Sequence, residues 1–148
     1  MKTLAGKPVL GGKGSGPALV SITPINFTAA FSKPQNILPG RHSEIRDRHH
    51  ELFGKKIAGT VLVFPAAVGS TYTGMMLLDL MYRGQAPVAM IVQKADSLLV
   101  SGPVLAEVWF SRGIPVVQYE NPDLFSLIKT GDRVAVDGDK GTITIEAK

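Results

Sequence analysis

Short apolar runs alternate with longer segments of helical spacing in the middle of the chain, and this alternation limits the folds available to it. Residues 57–64, 87–92 and 114–117 are mostly apolar, as expected of strands that are covered on both faces. Between them, residues 75–84 and 97–112 have the spacing of largely buried helices. Strands that alternate with helices form parallel crossovers. The sequence therefore predicts an α/β fold.

The flanking segments add β structure to this centre. Residues 18–22 resemble a first strand, and residues 134–136 and 142–145 resemble a closing hairpin, after a short helix at 122–128. Residues 26–56 show no clear periodicity and contain all three histidines. A connection of that length in a compact domain is usually functional or mobile. We therefore expect part of a site there.

The composition indicates a single domain, residues 1–148, and excludes several kinds of site. The apolar runs fall well short of the ~18 residues that a membrane span needs, and no export signal is evident at the start. We therefore expect no membrane partner and a cytoplasmic location. The chain has no cysteine, so it has no thiolate ligand for an iron-sulfur cluster or a structural zinc.

A net charge of +4 raises the question of a nucleic-acid partner. The basic residues of the 33–56 segment are interspersed with Glu44, Asp47 and Glu51, and few aromatic residues accompany them. Nucleic-acid binding usually needs an unbroken basic surface and aromatic residues that stack on bases. We therefore expect no nucleic acid, and instead a small anionic molecule or an acidic partner surface.

The most informative motif is Gly69-Ser70-Thr71, where a predicted strand turns into a helix. Backbone amides at a helix start have no partners within the helix, and the helix dipole adds partial positive charge, so an anion or a developing alkoxide is favoured there. A hydroxyl at this place can take part in chemistry. The alternative is that Ser70 or Thr71 only caps the helix, as these residue types commonly do.

Two other motifs suit ordinary roles better. The glycine-rich segment 11–16 has no apolar strand before it and no helical pattern after it, so a turn that leads into the first strand is preferred to a phosphate loop. His49 and His50 are adjacent and point in different directions, so a metal site is not expected. A surface loop in which an Arg or His meets a carboxylate or phosphate, with Arg48 and His50 as candidates, is preferred.

Nearly the whole chain resembles the small subunits of the aconitase X family. The resemblance covers the strand, turn and helix at 57–80 and the second strand at 84–92, and it is weaker at 14–27. Further matches are Gly102, Ala106, Glu107, residues 113–117, Thr130, Gly131 and Asp132.

This resemblance implies a swivelling β/β/α domain, like the mobile domain of aconitase, that closes over a large subunit. The large subunit is expected to hold an iron-sulfur cluster, and this chain no metal. Ser70 is implied as the catalytic base of a dehydratase, with Gly69, Thr71, Arg48 and His50 as candidate substrate-binding residues. The implied substrate is a small hydroxy acid such as cis-3-hydroxy-L-proline, and the alternative is phosphomevalonate.

Three departures from the family bear on the substrate. Val68 stands where the family has an arginine, residues 26–30 differ from the usual pattern, and His50 is followed by Glu51 in place of proline, after a longer basic loop. One hypothesis is that Arg41, Arg46 or Arg48 supplies the missing charge. Another is that the chain is a non-catalytic module that binds an anion or regulates a partner.

Overall fold

We describe the chain from a computed structural model, which covers residues 1–69 and 71–146. These residues form eight strands and four α-helices. The strands are β1 (Lys2–Ala5), β2 (Lys7–Leu10), β3 (Lys13–Val20), β4 (Val61–Phe64), β5 (Ala89–Val92), β6 (Val116–Gln118), β7 (Arg133–Asp137) and β8 (Thr142–Glu146). The helices are α1 (Phe27–Phe31), α2 (Thr73–Tyr82), α3 (Ser97–Phe110) and α4 (Leu124–Leu127).

One sheet contains all eight strands, in the order β1-β8-β7-β3-β4-β5-β6-β2. Its centre, β3 to β6, is parallel, with Leu62 opposite Met90 and Ile91 opposite Val117. The outer strands are antiparallel, and β7 pairs with β8 as the predicted hairpin. The predicted α/β fold is thus confirmed.

The central strands are buried on both faces, which explains their unbroken apolar sequences. Leu62 and Phe64 of β4 pack in one core with the residues of α1, α2 and α3. Val61 and Val63 point the other way, into a second core with α4 and the strands β1, β7 and β8. Burying an aliphatic or aromatic side chain of this size stabilises the fold by about 1.5–3 kcal/mol.

The start of the chain differs from the sequence prediction. Residues 11–16 were expected to form a turn, but β3 already begins at Lys13. Gly14 packs against the Val88 carbonyl and Gly16 against the Gly59 carbonyl, so a side chain at either place would overlap backbone. These two glycines therefore permit close backbone contact within the sheet. Strands β1 and β2, each of four residues, were not predicted.

The long connection before β4 contains more regular structure than its sequence suggests. Asn26 caps α1, because its Oδ1 accepts a hydrogen bond from the Ala29 amide at 3.1 Å. The Phe27 ring packs on the Phe64 ring with centroids 5.7 Å apart, which fixes α1 on β4. A short 3-10 helix follows at Pro34–Ile37.

Within the part of the chain that the structure describes, no helix has the length and apolar character needed to cross a membrane.

Candidate active site

The carboxyl ends of the parallel strands lie along one edge of the sheet, where α/β proteins usually bind their ligands. Strands β3, β4 and β5 end there at Val20, Phe64 and Val92. The turn from β4 to α2, described at residues 65–69 and 71–72, lies at this edge, as does the segment 21–26 that follows β3. Gly69 and Thr71 of the predicted motif belong to this turn.

Backbone hydrogen bonds hold the first half of the turn between its neighbours. The Pro65 carbonyl accepts the Lys94 amide at 3.0 Å, just beyond β5. On the other side, Ile25 donates its amide to the Ala66 carbonyl and accepts the Val68 amide, both at 3.0 Å. The turn therefore cannot shift without disturbing the segments that follow β3 and β5.

Gly69 is required where it stands. Its φ is +91°, in the region that favours glycine, and a Cβ there would overlap the side-chain amide of Asn26. Asn26 thus both caps α1 and closes against the turn. Ser70, the predicted base, lies outside the described residues, and its sequence neighbours Gly69 and Thr71 are exposed.

Helix α2 begins directly after the motif. Its N-cap residue is Tyr72 and its first helical residue is Thr73, so Thr71 does not occupy the capping position that the alternative interpretation gave it. The start of α2, with its partial positive charge, lies beside the turn. This placement favours negative charge near residues 69–71.

His50 connects its own loop to the segment that follows β3, near the carboxyl edge of the sheet. The ring is buried, at 7% exposure, and its Nδ1 accepts the Leu52 amide at 3.0 Å, which leaves the ring proton on Nε2. Nε2 lies 3.3 Å from Ser21 Oγ and 3.4 Å from the Thr23 carbonyl. His50 therefore connects its own loop to the end of β3, while its role as a substrate contact stays a prediction.

Glu51 caps the end of β3 with its carboxylate. Its Oε1 accepts hydrogen bonds from Ser21 Oγ at 2.7 Å and from the amides of Ile22 at 2.6 Å and Thr23 at 3.1 Å. Burial raises the pKa of Glu51, but the hydrogen bonds from Ser21 and from the Thr23 and Ile22 backbone outweigh it and bring the pKa below its usual value. A fixed negative charge thus lies at the sheet edge.

The three arginines that could supply the missing charge have different surroundings. Arg41 and Arg46 both contact Glu44, at 3.9 Å and 2.6 Å. Arg46 also stacks on the Phe53 ring, with its guanidinium carbon 4.7 Å from the centroid. Arg48 is exposed and lines a cavity together with Arg46.

The chain offers no metal site of its own among residues 1–69 and 71–146, where no three His, Asp or Glu side chains group together. The sequence has no cysteine either. The residues present therefore do not fit an iron-sulfur cluster.

Sequence reasoning found the turn but missed the residues that hold it. Asn26 was noted only as a departure from the family pattern, although an Asn three residues before Ala29 has the spacing of a helix cap. Glu51 was noted only as a replacement of proline. Its bonds to the end of β3 join residues far apart in sequence, and no local pattern indicates them.

Comparisons with known proteins agree with this architecture. The family model of the aconitase X swivel domain matches residues 3–145. The phosphomevalonate dehydratase small subunit of Methanocella arvoryzae is 37% identical over 142 residues, which cover 96% of this chain and 98% of that protein. The protein of the same name from Thermococcus gammatolerans is 34% identical and covers 96% of each chain.

A solved structure shares the fold. The crystal structure of Thermococcus kodakaraensis aconitase X in its holo form superposes with a TM-score of 0.82 at 30% sequence identity. The match covers 99% of each chain. The predicted relation of the fold to that group of proteins is confirmed.

Proposed function

The chain belongs to the aconitase X swivel domain family, and on that premise we propose its substrate and the role of Ser70. As a family member it is the small subunit of an aconitase X-type dehydratase, a hydro-lyase that works with a large subunit. The proposed substrate is a phosphorylated hydroxy acid of the phosphomevalonate type. The name shared by relatives that match this chain over nearly its whole length supports this choice.

The second candidate substrate is cis-3-hydroxy-L-proline, which the sequence analysis placed first. One observation favours it. Glu51 keeps a negative charge at the sheet edge, and such a carboxylate suits the ammonium group of an amino acid better than a phosphate. A substrate panel that contains both compounds separates the two candidates.

Ser70 is proposed as the base that takes a proton from a carbon of the substrate. Its sequence neighbours support this role, because Gly69 lies against Asn26 and the turn precedes the start of α2. A serine hydroxyl becomes a useful base only where its alkoxide is stabilised, and a helix start provides partial positive charge for that purpose. Gly69 and Thr71 are proposed to line the substrate site beside it.

Exposed apolar side chains around the turn support a partner at this edge. Val68, Tyr72 and Met75 are 45%, 58% and 60% exposed. Apolar groups of this kind next to a site are typical of interaction surfaces. We propose that the large subunit covers these side chains and holds the iron-sulfur cluster. We also propose that residues 1–148 form one swivel-type domain and that the two subunits work in the cytoplasm.

The observation that carries the proposal is that Asn26 lies against Gly69 while backbone hydrogen bonds from Ile25 and Lys94 hold the turn at the carboxyl edge. The test combines the chain with its large subunit and measures dehydration of phosphomevalonate and of cis-3-hydroxy-L-proline. Ser70→Ala should lower kcat by about 10²-fold or more, the usual contribution of general acid–base catalysis. Size-exclusion chromatography should show unchanged assembly.

The control is Ser126→Ala, an exposed serine on α4, which should keep wild-type kcat. Retained activity in Ser70→Ala would overturn the assigned role. The competing hypothesis is a non-catalytic module, which Val68 favours because it removes a family arginine. That hypothesis predicts no activity in any reconstituted pair, together with anion binding by this chain alone.

A further inference from the structure

A basic cavity lies beside α1, apart from the Gly69-Ser70-Thr71 turn. It has a volume of about 370 Å³ and lies between the residues that follow α1 and the segment 46–49. Lys33, Arg46 and Arg48 line it, and Asp47 is the one acidic residue in its lining. The cations of the lining outnumber its carboxylate, and the group keeps a net positive charge even when Glu44, paired with Arg46 outside the lining, is counted, which suits an anion.

Arg46 lines the cavity, and its guanidinium is only partly paired within the protein. Its side chain is 18% exposed, and one terminal nitrogen pairs with Glu44 at 2.6 Å. Its Nε is buried and has no hydrogen-bond acceptor among the described residues. The Arg46 guanidinium therefore keeps a donor that no described residue uses, although the Nε atom itself is closed to solvent.

The carboxylates near the cavity already have partners within the protein. Asp47 Oδ1 accepts the His49 amide at 3.1 Å, which uses one oxygen of that carboxylate within its own turn. Glu44 faces Arg41 as well as Arg46. Lys33 and Arg48 are exposed, and their long side chains can close on a ligand in the cavity.

Two contacts connect the cavity to the candidate active site. The Arg46 amide donates to the Ala30 carbonyl at 2.8 Å, so the segment is fixed to α1. Asn26, which contacts Gly69, caps the other end of α1. That helix has five residues and is about 7.5 Å long. This is comparable with the length of an extended, small phosphorylated hydroxy acid.

We propose that Lys33, Arg46 and Arg48 form a subsite for a phosphate monoester, namely the phosphate of the substrate whose reacting carbon lies at the 69–71 turn. This inference rests on the proposed function. A phosphate monoester carries about −1.5 to −2 charges at neutral pH, and arginine binds its oxygens in bidentate fashion.

The kinetic test uses the chain paired with its large subunit. Arg48→Gln and Lys33→Gln should each raise KM for the phosphorylated substrate by about tenfold or more, with little change in kcat, because a charge-assisted hydrogen bond to the bound phosphate is lost. The matched control is Lys55→Gln, which removes an exposed cation of the same loop outside the cavity and should change KM by less than about twofold. Wild-type KM values in both cavity variants would overturn the subsite.

A second measurement keeps the subsite and the proposed function distinguishable. Inorganic phosphate is titrated into the isotope-labelled full chain and followed by NMR. Shifts at the Lys33 and Arg48 amides that disappear in Arg48→Gln support the subsite, and the absence of shifts at millimolar phosphate overturns it. If phosphate binds there but the reconstituted pair turns over only unphosphorylated substrates, the proposed substrate is wrong. The bound phosphate then belongs to an effector.

Discussion

Gly69→Ala tests the contact that holds the candidate site in place. Gly69 combines two constraints, a φ of +91° and the Asn26 amide against the position of its missing side chain. Gly40 provides the control, because its φ is +79° but nothing lies within 4 Å of a Cβ there. An alanine at position 40 is destabilised only by the positive φ, whereas an alanine at position 69 is destabilised by the positive φ and by overlap with Asn26.

The expected magnitudes follow from these two constraints. An alanine in the left-handed region costs about 1–2 kcal/mol of folding free energy, which is the whole effect expected for Gly40→Ala. In Gly69→Ala the Asn26 amide must also move, and loss of its cap on α1 adds about 0.5–2 kcal/mol. We therefore expect a total of about 1.5–4 kcal/mol at Gly69.

Urea unfolding of the purified chain measures the difference, with an unchanged m value as a check that both variants unfold in the same way. The decisive comparison repeats both alanines in an Asn26→Ala background. With the amide removed, Gly69→Ala and Gly40→Ala should cost the same to within about 0.5 kcal/mol. Equal costs in the wild-type background would refute the reasoning, since Asn26 would then contribute nothing to the turn.

Two further predictions concern stability. Leu62 is fully buried in β4, so Leu62→Ala should lower the free energy of unfolding, measured with urea, by about 2–5 kcal/mol. Leu98 is 40% exposed, so Leu98→Ala should lower it by less than about 1 kcal/mol. Similar losses in the two variants would contradict the packing of β4. The pKa of Glu51 is lowered in the fold, so its contribution to stability is present above its usual pKa of 4.5 and is lost as the pH falls through the lower folded value. The melting temperature of Glu51→Gln should therefore fall less steeply at acid pH than that of the wild type. Identical falls in the two proteins would show that the hydrogen bonds of Glu51 at the end of β3 do not stabilise the fold.

Much of the central fold could be predicted because its signal is local. Strand β4 and helix α2 are apolar in runs or at helical spacing, and each was located from those residues alone. The hairpin of β7 and β8 follows from alternating residues around a polar turn. Strands β1 and β2 escaped prediction because they are short, outer strands with exposed lysines and a proline, which resemble loop sequence.

Only part of the candidate site could be predicted from the sequence. The turn at residues 69–71 stands out because glycine and hydroxyl residues follow an apolar strand. His50 was expected at the substrate, and that role stays a prediction. The structure adds its contacts with Ser21 and Leu52, which the sequence did not indicate. Lys33 was counted among the basic residues of its segment, but nothing in its local sequence indicates that it lies beside residues 46–49.

The amino-acid sequence by itself determined the alternation of strands and helices, the lack of thiolate ligands and the position of the turn. These are properties of residue types and of short-range spacing. Only the tertiary structure decided that Asn26 closes on Gly69, that Glu51 caps the end of β3 and that Lys33 joins Arg48 around a cavity. Each of these contacts depends on how α1 and the loop after it fold back onto the sheet, and that path is set by the packing of the whole core.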